Sequence, residues 1–203
     1  MHAAPLRIDF DDAPSLLTGL AVGLARPVVV IGITGAPGSG KSLLAARLSR
    51  CIVPTDAYLP DYDRVPYAER DLPAHADLER LARDLSFLRQ GRDANIPVWS
   101  FHTHRREGFC AQSPSPIVVC EGIHALHDAA LPHLDLRVFV EAPGDVRWER
   151  IAARERAGER GWGVEESRVF FESVAEPTFA AAAVDYRARA GVIVSNADAR
   201  SAT

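Results

Sequence analysis

The residues with the most chemistry in them lie together at Gly35-Ala36-Pro37-Gly38-Ser39-Gly40-Lys41-Ser42-Leu43. A glycine, four residues and then Gly-Lys-Ser is the pattern of a phosphate-binding loop. Its glycines let successive backbone N–H groups turn inward toward phosphate oxygens. Lys41 is positioned by that spacing to reach the β- and γ-phosphates of a nucleoside triphosphate, and the Ser42 hydroxyl to meet Mg²⁺. Such a loop must leave a strand and enter a helix, whose N-terminus adds partial positive charge. Val28–Ile33 reads as a buried strand and Leu43–Leu48 as a helix, so both flanks are in place.

Three further groups have the types that phosphoryl transfer to an alcohol requires: an acid or base, a metal-side acid and mobile cations. Asp56 follows the apolar stretch Ile52–Thr55, which places a carboxylate beside the loop. Glu121 ends the apolar run Ile117–Cys120, where an acid on the Mg²⁺ side would stand. Arg147, Arg150, Arg154, Arg156 and Arg160 form a cluster, and the first three share one helix face. A guanine-nucleotide switch would also need Asn-Lys-x-Asp, and Ser195-Asn196-Ala197-Asp198 lacks its lysine. His102-x-His104 and His124-x-x-His127 have no third ligand at close spacing, which argues against zinc.

The elements that must hold these groups alternate strand and helix, the pattern of a parallel sheet with helices on both faces. Core strands are predicted at Val28–Thr34, Cys51–Pro54, Ile117–Cys120, Arg137–Val140 and Val192–Ser195. A helix is predicted from Leu78 to Gln90, with Asp77 and Gly91 as its caps. Residues 1–26 read as an irregular lead-in with a short helix near Leu16–Leu24, residues 56–76 as a surface loop, and residues 95–110 as a small hairpin. The acceptor-side region then spans 56–110 and the lid 144–163. Tyr58, Tyr62 and Tyr67 either line an acceptor pocket or anchor the loop.

The chain of 203 residues, 47% hydrophobic and 25% charged, suits one α/β domain with its own core. A net charge of −4 gives a nucleic-acid partner no electrostatic support. No apolar run is long enough for a membrane span, and the acidic start (Asp9, Asp11, Asp12) is unlike a signal peptide. Cys51, Cys110 and Cys120 are odd in number and contain no CxxC, so a reducing, cytoplasmic setting is expected.

From Val28 to Ser195 the sequence resembles the uridine kinase branch of the uridine kinase and phosphoribulokinase family. Thr55-Asp56-Ala57-Tyr58 is similar to that family's Asp-x-Phe/Tyr motif, which implies that Asp56 is the base for a sugar hydroxyl and that Tyr58 lies on the substrate side. Asp71–Asp77 resembles the segment whose first aspartate holds ribose hydroxyls, a role that would fall to Asp71. Pro97–Arg106 resembles Pro-x-Tyr-Asp-Phe-x-x-His-x-Arg, implying substrate contacts for Trp99, His104 and Arg106. Glu121-Gly122-Ile123 is the family's own tripeptide, and Arg154 through Gly161 resembles its arginine-bearing lid. Trp99, Ser100 and Trp162 depart from the family pattern, which points to a changed acceptor.

The resemblance implies a three-layer sandwich with a five-stranded parallel sheet in the order 2-3-1-4-5. It implies ATP and Mg²⁺ as cofactors and phosphorylation of a primary hydroxyl on a nucleoside-like acceptor. Lys41, Asp56, Arg154 and Arg160 would act at the reacting phosphoryl, and Ser42 and Glu121 at the metal. A family kinase acting on nicotinamide riboside, pantothenate or a sugar phosphate is an alternative, as is a nucleotide-binding regulatory module. Relatives often form dimers or tetramers, so a homo-oligomer is also open.

Overall fold

The computed structural model describes residues 4–197; the ends of the expected domain, 1–3 and 198–203, lie outside the described residues. In chain order the elements begin with β1 (Leu6–Asp9), α1 (Ala13–Gly23), β2 (Val29–Gly35), α2 (Lys41–Leu48) and β3 (Cys51–Pro54). After a stretch of short 3₁₀ turns come α3 (Leu78–Arg89), the antiparallel pair β4 (Ala94–Ser100) and β5 (Arg105–Gln112), and β6 (Ile117–Glu121). β7 (Leu136–Glu141), α4 (Gly144–Arg156), α5 (Val164–Phe170), α6 (Glu176–Arg189) and β8 (Val192–Ser195) complete the chain; a π-helical turn at Phe171–Ala175 joins α5 to α6.

The main sheet has six strands, in the order β1-β8-β7-β2-β6-β3, and every pairing is parallel. Its last five strands, taken from β3, reproduce the expected order 2-3-1-4-5. The expected count of five strands is corrected by β1, which the lead-in adds at the edge beside β8. Leu6–Asp9 is short and mostly exposed, so it carries neither a buried apolar run nor a clean alternation.

β2 is buried along its whole length, as the centre of a sheet covered on both faces requires. Val29, Ile31 and Ile33 face α1 and α2 through Leu17, Ala21 and Leu44. Val30 faces the opposite side, where Leu81, Leu85 and Leu88 of α3 pack with Val118 and Cys120. Farther along that face, Phe179 and Tyr186 of α6 cover Phe139 and Ile193. The result is a three-layer sandwich. α3 starts where the sequence predicts: the Asp77 carboxylate accepts the Arg80 N–H at 3.2 Å, and Gly91 follows the helix at φ 76°.

Candidate active site

β2 runs out at Gly35 and the chain turns through the glycine-rich loop into α2, so Lys41 and Ser42 form the first turn of a helix. Gly38 (φ 78°) and Gly40 (φ 98°) are left-handed, and a Cβ on either would strike atoms behind the loop. At Gly38 that atom is the Arg147 carbonyl oxygen at 2.4 Å, and at Gly40 the Asn196 Nδ2 at 2.3 Å. The loop is therefore pressed from outside as well as shaped for a ligand inside.

Two arginines of α4, with Asn196, hold the loop from that side. Arg147 is buried; its Nη2 donates to Glu176 Oε2 at 2.7 Å, and its Nη1 donates to Glu176 Oε1 and, at 3.2 Å, to the Pro37 carbonyl. Arg150 is buried too, donating to Gly38 O at 3.2 Å and to Asn196 Oδ1 at 3.0 Å. Asn196 Nδ2 in turn donates to the Ser39 carbonyl at 2.8 Å. These bonds hold the carbonyls of Pro37, Gly38 and Ser39 on this side of the loop. Arg147 and Arg150 are struts behind the loop, which corrects the expectation that the whole arginine cluster belongs to a lid.

In front of the loop lies a cavity of about 350 Å³ lined by Pro37, Gly38, Lys41, Ser42, Asp56, Asp71, Glu121, Arg154 and Arg160, with an apolar wall beyond. β3 and β6 are neighbours in the sheet, so their ends deliver Asp56 and Glu121 to the same place. Ser42 Oγ donates to Glu121 Oε1 at 3.1 Å, and Lys41 Nζ donates to the Ala36 carbonyl at 3.0 Å. Burial pushes the Glu121 carboxyl up to about 7, with the nearby Asp56 adding to the effect. Burial likewise raises Asp56, against the pull of Lys41, Arg160 and Arg154. Lys41 is lowered by burial and held up by Glu121 and Asp56.

Asp71 reaches the cavity from the loop after β3. Its Oδ1 accepts the Tyr62 hydroxyl at 2.6 Å, and its backbone carbonyl lies 3.0 Å from His124 Nε2. Burial pushes Asp71 up to about 6 and His124 down to about 4, so a neutral imidazole holds the carbonyl. Arg160 borders the cavity at the end of the lid segment, 4.8 Å from the Phe101 ring centre and 3.5 Å from Glu155. Arg154, half-exposed, pairs with Glu159 at 2.9 Å.

The acceptor-side residues divide. Trp99 lines the cavity. Tyr58 does not: it is fully buried in the core, and its hydroxyl donates to Asp84 at 3.0 Å. His104 and Arg106 are also absent from the lining. His104 stands behind the wall, stacked on Trp162 at 4.0 Å between centroids. Burial pushes it down to about 4. Arg106 gives its backbone N–H to Asp61 at 2.9 Å. Tyr62, left open between lining and anchoring, does both. Phe170, Phe171 and Glu176 carry no motif, and nothing in the local sequence singles out Asn196 as a strut. Among the described residues no group of three His, Cys, Asp or Glu side chains gathers as a metal site, and no helix is long and apolar enough to cross a membrane.

The sequence matches the Phosphoribulokinase / Uridine kinase family over residues 65–198. It is 32% identical to a uridine kinase of Shewanella halifaxensis over 173 residues, 76% of this chain and 81% of that one. It is 31% identical to a uridine kinase of Escherichia coli K12 over 170 residues, 74% and 79% of the two chains. Among solved structures, a candidate fructose transport system kinase from Silicibacter sp. TM1040 superposes with a TM-score of 0.63 at 17% identity, covering 88% of this chain and 98% of that one. A candidate uridine kinase from Bacillus stearothermophilus superposes with a TM-score of 0.56 at 18% identity, covering 90% and 99%. These structures share the fold, and the sequence match assigns the kinship: the chain belongs to the phosphoribulokinase / uridine kinase family, and so to the phosphotransferases that act on a hydroxyl.

Proposed function

We propose that the protein transfers the γ-phosphoryl group of ATP to a primary hydroxyl on a nucleoside-like small molecule. The observation that supports this most strongly is one cavity bordered by Lys41 and Ser42, Asp56, Asp71 and two arginines. A donor triphosphate and an acceptor alcohol need to meet there, and little else is required of the protein than positioning and charge neutralisation.

Loop amides and Lys41 hold the β- and γ-phosphates. Asp56 accepts the proton of the attacking hydroxyl or orients it; its raised pKa makes it a better base than an exposed carboxylate. Asp71 has one carboxylate oxygen engaged by Tyr62, which leaves the other for acceptor hydroxyls. Arg154 and Arg160 neutralise the transferring phosphoryl. Ser42 and Glu121 present hard oxygen donors 3.1 Å apart, a set that fits Mg²⁺ completed by water and phosphate oxygens. The ion supplies charge neutralisation between the phosphates. A cation there also favours the ionised form of Glu121, which burial alone disfavours.

The test is ADP release from Mg·ATP over uridine, cytidine, nicotinamide riboside, pantothenate and a pentose phosphate. Acceptor-dependent ADP with a riboside is expected. No acceptor-dependent ADP across a broad panel would instead favour a nucleotide-binding regulatory module.

A further inference from the structure

Glu155 sits in the last turn of α4, outside the cavity lining, and its side chain is 0% exposed. Glu149 and Glu159, in the same charged stretch, are 66% and 55% exposed. A glutamate is almost never fully buried unless it is paired, so its partners define its role. Oε2 accepts the Gly163 N–H at 3.0 Å; Oε1 accepts the Ser167 hydroxyl and lies 3.5 Å from Arg160 Nε. Gly163 immediately precedes α5 and Ser167 lies within it. One carboxylate at the end of α4 therefore closes the segment 156–163 on itself, and Arg160 is carried on that closed segment. Tying a short loop at its base removes freedom from everything between.

The same segment is docked on the hairpin: Gly161 donates its N–H to the Phe101 carbonyl at 3.2 Å. The Arg160 guanidinium stands 4.8 Å from the Phe101 ring centre, and its Nε is buried and makes no hydrogen bond. Its place is thus set by charge and by the ring rather than by a directional bond. Burial, and then Arg154, work against its cationic form; Glu155 and Asp56 favour it. Arg160 in turn lowers Asp56 and Asp71, against the burial that raises both. Without the countercharge of Glu155 the guanidinium is left to those two acids, which the acceptor hydroxyls need.

Resting on the kinase reading above, we infer that Glu155 is a positioning residue that sets Arg160 for the transferring phosphoryl. It closes the segment that carries the arginine and meets the guanidinium with the opposite charge from outside the cavity. It touches neither substrate and acts through Arg160.

The test is a double-mutant cycle of Glu155→Gln and Arg160→Met. One readout is kcat with Mg·ATP and whichever acceptor the wild type turns over. The other is calorimetric affinity for Mg·ADP with and without aluminium fluoride, a mimic of the transferring phosphoryl. Arg160→Met should lower kcat about 10²-fold or more and remove most of the tightening by fluoride. Glu155→Gln should lower kcat about tenfold or more, with Mg·ADP affinity within about threefold of wild type. In the Arg160→Met background the same change should cost less than about threefold in either readout. A structural role alone predicts equal losses in both backgrounds; that result, or unchanged kcat in either single variant, overturns the inference and leaves the kinase reading intact. Should Glu155→Gln fail to fold, Glu155→Asp, which keeps the charge and shortens its reach, takes its place with the same criteria. No turnover of any acceptor by the wild type overturns the kinase reading, and the fluoride-dependent tightening then decides alone. Loss by Glu155→Gln that vanishes in Arg160→Met supports the inference; additive loss, no loss, or no tightening in the wild type overturns it.

Discussion

Replacing Asn196 by alanine tests whether the phosphate loop is held from behind. Asn196 is 1% exposed and lies immediately after β8. Its side chain makes two bonds: Nδ2 to the Ser39 carbonyl at 2.8 Å, and Oδ1 from Arg150 Nη2 at 3.0 Å. Alanine removes both, weakening the hold on a loop carbonyl and taking one acceptor from a buried guanidinium. At about 1 kcal/mol for the neutral bond and about 2 kcal/mol for the charged one, the loss is about 3 kcal/mol. For a domain of this length that lowers Tm by roughly 6–12 °C. The same change should weaken Mg·ATP binding, because the amides that meet the phosphates belong to the segment that Asn196 fixes. Thermal unfolding followed by circular dichroism, and titration calorimetry with a non-hydrolysable ATP analogue, measure the two effects. A Tm within 2 °C of wild type together with unchanged nucleotide affinity would refute the strut.

Gly122, at φ 136°, lies where a Cβ would stand 1.9 Å from Thr55 Oγ1; Gly122→Ala should displace Thr55 and its neighbour Asp56, so that kcat falls at least tenfold and Tm drops, and wild-type values for both would contradict that packing. Glu121 is carried up to about 7 from its ordinary 4.5, so between those values the folded protein binds a proton that the unfolded chain does not, and this residue's contribution to stability falls as pH rises. In the nucleotide-free protein, Glu121→Gln should therefore gain stability relative to wild type between pH 5 and pH 8, by on the order of 3 kcal/mol, and lose that advantage with Mg·ATP; a pH-independent difference in denaturant unfolding would argue against the buried carboxylate.

The phosphate loop was legible because its spacing is dictated by local backbone geometry, and the five inner strands because a sheet covered on both faces needs unbroken apolar runs. Asp56 and Glu121 were legible for a related reason: each follows such a run, and parallel neighbours end on the same side. β1 was not, since an exposed edge strand needs no apolar pattern. The arginines of α4 show the limit more sharply. Arg147, Arg150 and Arg154 share a helix face, yet the first two are buried struts and only the third borders the cavity. What separates them is their partners, Glu176 and Asn196, which lie 29 and 46 residues away in sequence. Tyr58 and Tyr62 differ by four positions and resemble each other in type; only the packing of α3, which brings Asp84 to Tyr58, sends one hydroxyl into the core.

On the proposed reading, Asp56 serves the acceptor hydroxyl in a cavity whose other half holds the triphosphate. The direct measurement is acceptor-dependent ADP formation by wild type and Asp56→Asn, using whichever acceptor the wild type turns over, with Mg·ATP affinity determined in parallel. Asparagine keeps the shape and removes the base, so kcat should fall about 10²-fold or more while nucleotide affinity stays within a few-fold. Near-normal turnover in Asp56→Asn, with nucleotide binding intact, would contradict the account.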